Sequence, residues 1–156
     1  APITVATEDW ESGGLAGGTG WLAAWSAQGG ANAVATTLDN PFAGLFHLRL
    51  QSSDGYVSRS LDLLNHTSVR LQIRARVSSF ESGDTADVLG SPDGINWTVI
   101  NTFTNIDSDN IYTLWDFDLS AFEPFSQQFF IAFDANMNST GDQMFIDDVE
   151  IIGQPP

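Results

Sequence analysis

Gly141 to Ile151 reads as one strand, and at strand period Phe145, Asp147, Val149 and Ile151 share a face. Three of the four are apolar, so this face is expected to be the core face, with the Asp147 carboxylate pointing inward. A lone buried carboxylate is costly unless a cation or several donors meet it. The chain has only five basic residues, all arginine: Arg49, Arg59, Arg70, Arg74 and Arg76. A bound metal is the simpler partner for Asp147, and backbone N–H groups are the alternative. A second acidic constellation is Glu81, Asp84, Asp107 and Asp109, in two loops that would have to meet in space to hold an ion.

Most of the positive charge lies on or near one strand. From Ser68 to Val77 the residues Val69, Leu71, Ile73, Ala75 and Val77 alternate with Arg70, Gln72, Arg74 and Arg76. The pattern predicts a half-buried antiparallel strand with the polar row outward. Neighbouring outward residues such as His47, Arg49, Asp87, Asp116 and Asp134 would line a groove with it. Arginine and carboxylate rows suit sugar hydroxyls, and arginine also suits uronic or sulfated sugars. The plainer reading is a solvated sheet with cross-strand ion pairs of small energetic weight. Trp97 and Tyr112 lie next to turns and can offer a ring to a sugar, as can Tyr56. Trp10, Trp21, Trp25 and Trp115 read as packing residues.

Catalysis finds weak support. There is no Gly-x-Ser-x-Gly elbow, no His-Glu-x-x-His and no phosphate-binding glycine loop. His47 and His66 are the two histidines, and Tyr56, His47 and an arginine are the one conceivable acid–base set. Carboxylate pairs are always at hand in a chain this acidic, so their presence argues nothing. The expectation is a protein that is not an enzyme.

The elements that must position these residues are short strands. Candidates run from Ile3, Trp21 to Ser26, Ala31 to Leu38, Leu45 to Gln51, Tyr56 to Leu63, Ser68 to Val77, from Ala86, Trp97 to Phe103, Tyr112 to Leu119, from Phe129, and Gly141 to Ile151. Turn signals such as Ser52-Ser53-Asp54-Gly55 and Ser91-Pro92-Asp93-Gly94 separate them. Roughly ten strands at this spacing mean an all-β sandwich or barrel. With 156 residues the chain is expected to form one module over 1–153, and the Pro-rich 154–156 reads as the start of a linker. A formal net charge of −15 disfavours nucleic acid and anionic membranes as partners. No apolar run is long enough to span a membrane as a helix, and the absence of cysteine excludes disulfides and thiolate metal sites.

Three stretches come in a familiar order: Glu8-Asp9-Trp10-Glu11-Ser12-Gly13, Asn40-Pro41-Phe42-Ala43-Gly44-Leu45-Phe46-His47-Leu48 and Phe145-Ile146-Asp147-Asp148-Val149. They resemble the signatures of antiparallel jelly-roll β-sandwich modules. These include carbohydrate-binding modules of secreted glycoside hydrolases and MAM-like domains of adhesion proteins and secreted proteases. Ser91-Pro92-Asp93-Gly94-Ile95-Asn96-Trp97 resembles a hairpin common in the same modules. The likeness spans nearly the whole chain, but MAM domains proper carry disulfides that this chain lacks. The resemblance implies a structural calcium ion between the first and last strands. Its ligands would be the carboxylates of Glu11 and Asp147 and backbone carbonyls near Gly44 or Leu45, with Asp39 as a third carboxylate. It further implies a secreted, non-catalytic module that binds a polysaccharide or oligosaccharide and targets an attached enzyme to it. The alternative is a MAM-like adhesion, assembly or spacer domain that contacts protein.

Overall fold

A computed structural model describes residues 1–28, 33–53 and 55–156. The first residues of the strand expected from Ala31, and Asp54 of the turn expected at 52–55, lie outside the described residues. Eleven strands follow in chain order: β1 Ile3–Glu8, β2 Ser26–Gln28, β3 Ala33–Thr36, β4 His47–Gln51, β5 Tyr56–Leu61, β6 Thr67–Ser78, β7 Thr85–Ser91, β8 Thr98–Phe103, β9 Thr113–Asp118, β10 Phe129–Asn136 and β11 Gln143–Gln154. The connector after Leu119 makes a single 3-10 turn, Ser120–Phe122. The strand expected over Trp21 to Ser26 forms later, at Ser26, because Trp21 and Trp25 are packing side chains of the preceding loop.

Every strand pairing is antiparallel. One sheet runs β3-β4-β11-β6-β9, with β1 also on β11, and the other runs β2-β5-β10-β7-β8. The long β11 carries the first sheet: Gln143 to Ile146 pair with β4, and Val149 to Gly153 pair with β1 on the same edge. The sheets face each other across one core. The alternation of β6 decides its inner face, where Val69, Leu71, Ile73, Ala75 and Val77 are all buried. Val57, Val88, Ile131 and Phe133 of the second sheet meet them in the same apolar cluster. Two sheets packed by their inner faces make the jelly-roll β-sandwich architecture.

The parity of β11 differs from the sequence expectation. The β11–β6 register slips by one residue between Asp147, opposite Arg74, and Glu150, opposite Gln72. Asp148 takes up the extra residue with φ +47°. One inserted residue exchanges the two faces of a strand. Val149 and Ile151 therefore share the core with Met144 and Ile146, while Phe145 and Asp147 lie on the opposite, outer face. Asp147 is fully buried, but it is buried beneath a loop and not inside the sandwich.

Candidate functional site

The loop from β3 to β4 lies over the outer face of the first sheet and decides what is left open there. Asp147 Oδ2 accepts from the Ala43 N–H at 3.1 Å, and Oδ1 accepts from the Asp148 N–H at 2.9 Å. Glu11 reaches the same loop: the Leu45 N–H lies 3.0 and 2.9 Å from its two oxygens, and the Phe46 N–H lies 3.0 Å from Oε1. Gly44 is required there, because a Cβ would stand 2.2 Å from Glu11 Oε1 and its φ is +64°. The structure thus brings Glu11, Asp147, Gly44 and Leu45 together around one loop. The atoms turned to the two carboxylates are amide N–H groups of the loop and of Asp148, which bond both side chains. Asp39 stands apart from this pair, its carbonyl accepting from Arg76. Burial pushes the Asp147 carboxyl up to about 7, and its two amide bonds oppose that shift.

Beside the loop, His47 is fully buried. Its Nε2 donates to the Leu38 carbonyl at 2.6 Å, so its Nδ1 accepts from the Tyr112 hydroxyl at 2.5 Å. Desolvation lowers the His47 pKa, and burial raises that of Tyr112. Arg76 packs over the Phe145 and Tyr112 rings and donates to Asn110 at 2.8 Å. Arg74 sits over Phe42 at 4.7 Å. Arg70 pairs with Asp116 at 2.7 Å, and Gln72 donates to the same carboxylate at 3.2 Å. Arg49 faces the same side, opposite Phe145. The arginine row is therefore on one face as expected, but the loop and its own carboxylates engage most of it.

The outer face of the second sheet is different. Strand register sets three rows across it: Tyr56, Asp134, Asp87 and Thr102; Ser58, Ala132 and Leu89; Ser60, Phe130 and Ser91. Asp87 and Asp134 thus lie here, on the sheet opposite the arginines, and not beside them as the sequence reading placed them. Trp97 reaches this face from the β7–β8 turn. Its ring centroid is 6.3 Å from Tyr56 and 6.2 Å from Phe130, edge-to-face with both. Tyr56 stands on β5 opposite Asp134, four positions along the sheet from Phe130, about 13 Å. A ring that touches both lies across the small middle row, and Ala132 is fully shielded although it points outward.

The turn that carries Trp97 is pinned by Asp93. Its Oδ1 accepts from the Ile95 and Asn96 N–H groups at 2.9 and 2.8 Å and from the Ser91 hydroxyl at 3.0 Å. These bonds hold the Asp93 carboxyl well below its ordinary value. Gly94 packs against the Phe130 ring, where a Cβ would meet Cε2 at 3.0 Å. Asp87 accepts from the Thr102 hydroxyl at 2.7 Å. Burial, then the charge of Asp87, raises the Asp134 carboxyl. The result is an aromatic strip, Tyr56–Trp97–Phe130, with two carboxylates at one end.

Trp97 and the arginine row are on opposite surfaces and cannot form one site. Tyr56 and His47 are likewise on different sheets, so the acid–base set considered above is not assembled. Sequence reading missed Phe130. Its signal is an aromatic out of phase with the buried Phe129, Ile131 and Phe133.

No protein-family model matches the chain, and no curated protein matches it. Solved structures do. TmCBM61, solved in complex with beta-1,4-galactotriose, superposes with a TM-score of 0.66 at 12% identity, covering 92% of each chain. The CBM22-1 xylan-binding domain of Paenibacillus barcinonensis Xyn10C gives 0.61 at 14%, covering 100% of this chain and 98% of that one. A cleaved adhesin domain of Lys-gingipain from Porphyromonas gingivalis gives 0.64 at 16%, with 97% and 99% covered. The chain has the jelly-roll β-sandwich fold that these carbohydrate-binding and adhesin modules share.

Proposed function

We propose that this protein is a non-catalytic, secreted module that binds a neutral polysaccharide on the outer face of its second sheet. The carrying observation is the strip of three half-buried aromatics, with Trp97 laid across the sheet between Tyr56 and Phe130. Rings presented this way stack on the apolar faces of sugars, while Asp87, Asp134 and Thr102 can bond hydroxyls beside them. Two carboxylates in a chain of net charge −15 disfavour uronic and sulfated sugars at this face. The likeness to modules solved with galactotriose and as a xylan-binding domain supports a sugar of this class. In this reading the module targets an attached enzyme to its substrate. No helix among the described residues is long and apolar enough to cross a membrane.

The resemblance also implies calcium between Glu11 and Asp147. Amide N–H groups of the loop already bond both carboxylates, and the sugar face lies on the other sheet, so sugar binding does not depend on that ion.

Native affinity electrophoresis against neutral, uronic and sulfated polysaccharides tests the reading. Retardation by a neutral polymer is expected, weakened about tenfold by Trp97→Ala with the fold intact. Retardation only by acidic polymers would move the site to the arginine face. No retardation by any polymer would favour the protein-contact reading that the adhesin likeness supports, and self-association would then be measured.

A further inference from the structure

We propose that Glu81, Asp84 and Asp142 form a divalent-cation site, fitted to calcium, at the end of the sandwich where the β6–β7 and β10–β11 turns meet. One carboxylate oxygen from each lies within 4.8 Å of the other two. The site is separate from the Glu11–Asp147 loop and does not rest on the sugar-binding reading.

Asp84 builds the place. It is 3% exposed, and its Oδ2 accepts from the Glu81 N–H at 2.7 Å. Its Oδ1 accepts from the Asn138 N–H at 3.2 Å. One carboxylate therefore ties the β6–β7 turn to the β10–β11 turn. Asp142 enters from just before β11 and is also 3% exposed. Its Oδ2 is buried and has no hydrogen-bond partner. A buried acceptor without a partner is among the costliest groups in a fold and requires an explanation. None of the three carboxylates takes part in an ion pair among the described residues, where arginines pair with Glu8, Asp116 and Asp118.

Three like charges brought this close, one with an unmet buried oxygen, ask for a cation. The donor set names the ion. All three ligands are hard oxygens, and no histidine or cysteine joins the cluster. They come from two turns, and Ser82, Asn136 and Asn138 line the same surface as Asp84. Calcium takes six to eight oxygens in loose geometry, whereas magnesium demands a regular octahedron. An ion here would clamp the two turns as Asp84 does, with strength drawn from charge.

The test is calorimetric titration of the full chain with calcium chloride, alongside melting curves in calcium and in chelator. Wild type, Glu81→Gln, Asp142→Asn and Glu11→Gln are compared. Glu81 is exposed, so its amide variant reads affinity even if Asp142→Asn fails to fold. Wild type is expected to bind calcium and to melt higher with it. Glu81→Gln should weaken that binding by about tenfold or more, because ligand charge sets calcium affinity. Asp142→Asn should abolish it, and Glu11→Gln should leave it. No calcium binding at millimolar concentration overturns the proposal. So does a binding event that Glu11→Gln removes and Glu81→Gln leaves unchanged.

Discussion

Glu8 is 1% exposed and carries a charge that the sequence offers no reason to bury. Its partner is Arg59, 51 residues away, at 2.8 Å from Oε2. The guanidinium has further partners. Nη1 also donates to the Gly17 carbonyl at 2.7 Å and Nε to the Ala23 carbonyl at 2.6 Å, and the group lies over the Trp21 and Trp25 rings. Glu8 Oε1 accepts from the Trp10 N–H at 2.7 Å. The β1 end, the 9–25 loop and β5 are therefore joined through one ion pair. Removing one charge of a buried pair leaves the other uncompensated, which costs about 3–5 kcal/mol, whereas replacing both recovers much of the loss. Glu8→Gln is expected to lower the unfolding free energy measured by urea denaturation by about that much, and Glu8→Gln with Arg59→Met to recover part of it. A Glu8→Gln chain that unfolds like wild type would show that the pair does not hold the loop. The pair is illegible in the sequence because Glu8 lies in an acidic stretch with Asp9 and Glu11, and no local pattern links it to Arg59. Only the fold brings them face to face.

At the scale of elements, nearly every strand was legible and the parity of the last one was not. β6 was read correctly because arginine and aliphatic residues alternate without a break, so only one face can be inner. β11 opens with Met144, Phe145 and Ile146, three apolar residues in a row, which fit either parity. Val149 and Ile151 then set the phase, and extrapolating back through the bulge put Phe145 and Asp147 in the core. A left-handed residue in mid-strand leaves little trace in sequence when the residue is Asp, which tolerates that region better than most. The burial expected of Asp147 is real, but it comes from the β3–β4 loop. Asp148→Gly should be neutral or stabilising, and Asp148→Val should destabilise by about 1–2 kcal/mol, since a β-branched residue resists φ near +47°. Chemical denaturation of both variants checks this. A valine variant as stable as wild type would mean that the bulge is not held at residue 148. The same limit explains the candidate site: Trp97, Tyr56 and Phe130 are each visible as aromatics, but their meeting depends on a β5–β10–β7 register and a turn that no local pattern encodes.

For the molecule as a whole, the distribution of charge sets how stability follows pH. The net charge is −15, and burial raises the carboxyls of Asp134, Asp142, Asp147 and Asp148, that of Asp147 to about 7. A carboxyl raised in the folded state binds a proton there at a pH where the unfolded chain has released it. Its stabilising contribution is complete below the ordinary value near 3.8 and is lost as pH rises through the folded value. His47 acts in the opposite sense. Its lowered pKa gives stability that is present above about 6.5 and lost as pH falls through the folded value. Asp93 and Asp118, held low by their turn amides, also favour higher pH, but they lie at the surface, where solvent screens them. Asp147, raised to about 7, and the self-repulsion of a strongly anionic chain outweigh one histidine. The melting temperature in chelator is therefore expected to be several degrees higher near pH 5.5 than near pH 8. Sodium chloride should raise it more at the alkaline end, where unscreened repulsion is greatest. Asp147→Asn should flatten the part of the profile that falls towards pH 7. A melting temperature that climbs from pH 5.5 to pH 8 would mean that His47 governs the profile and that the buried carboxylates are already compensated.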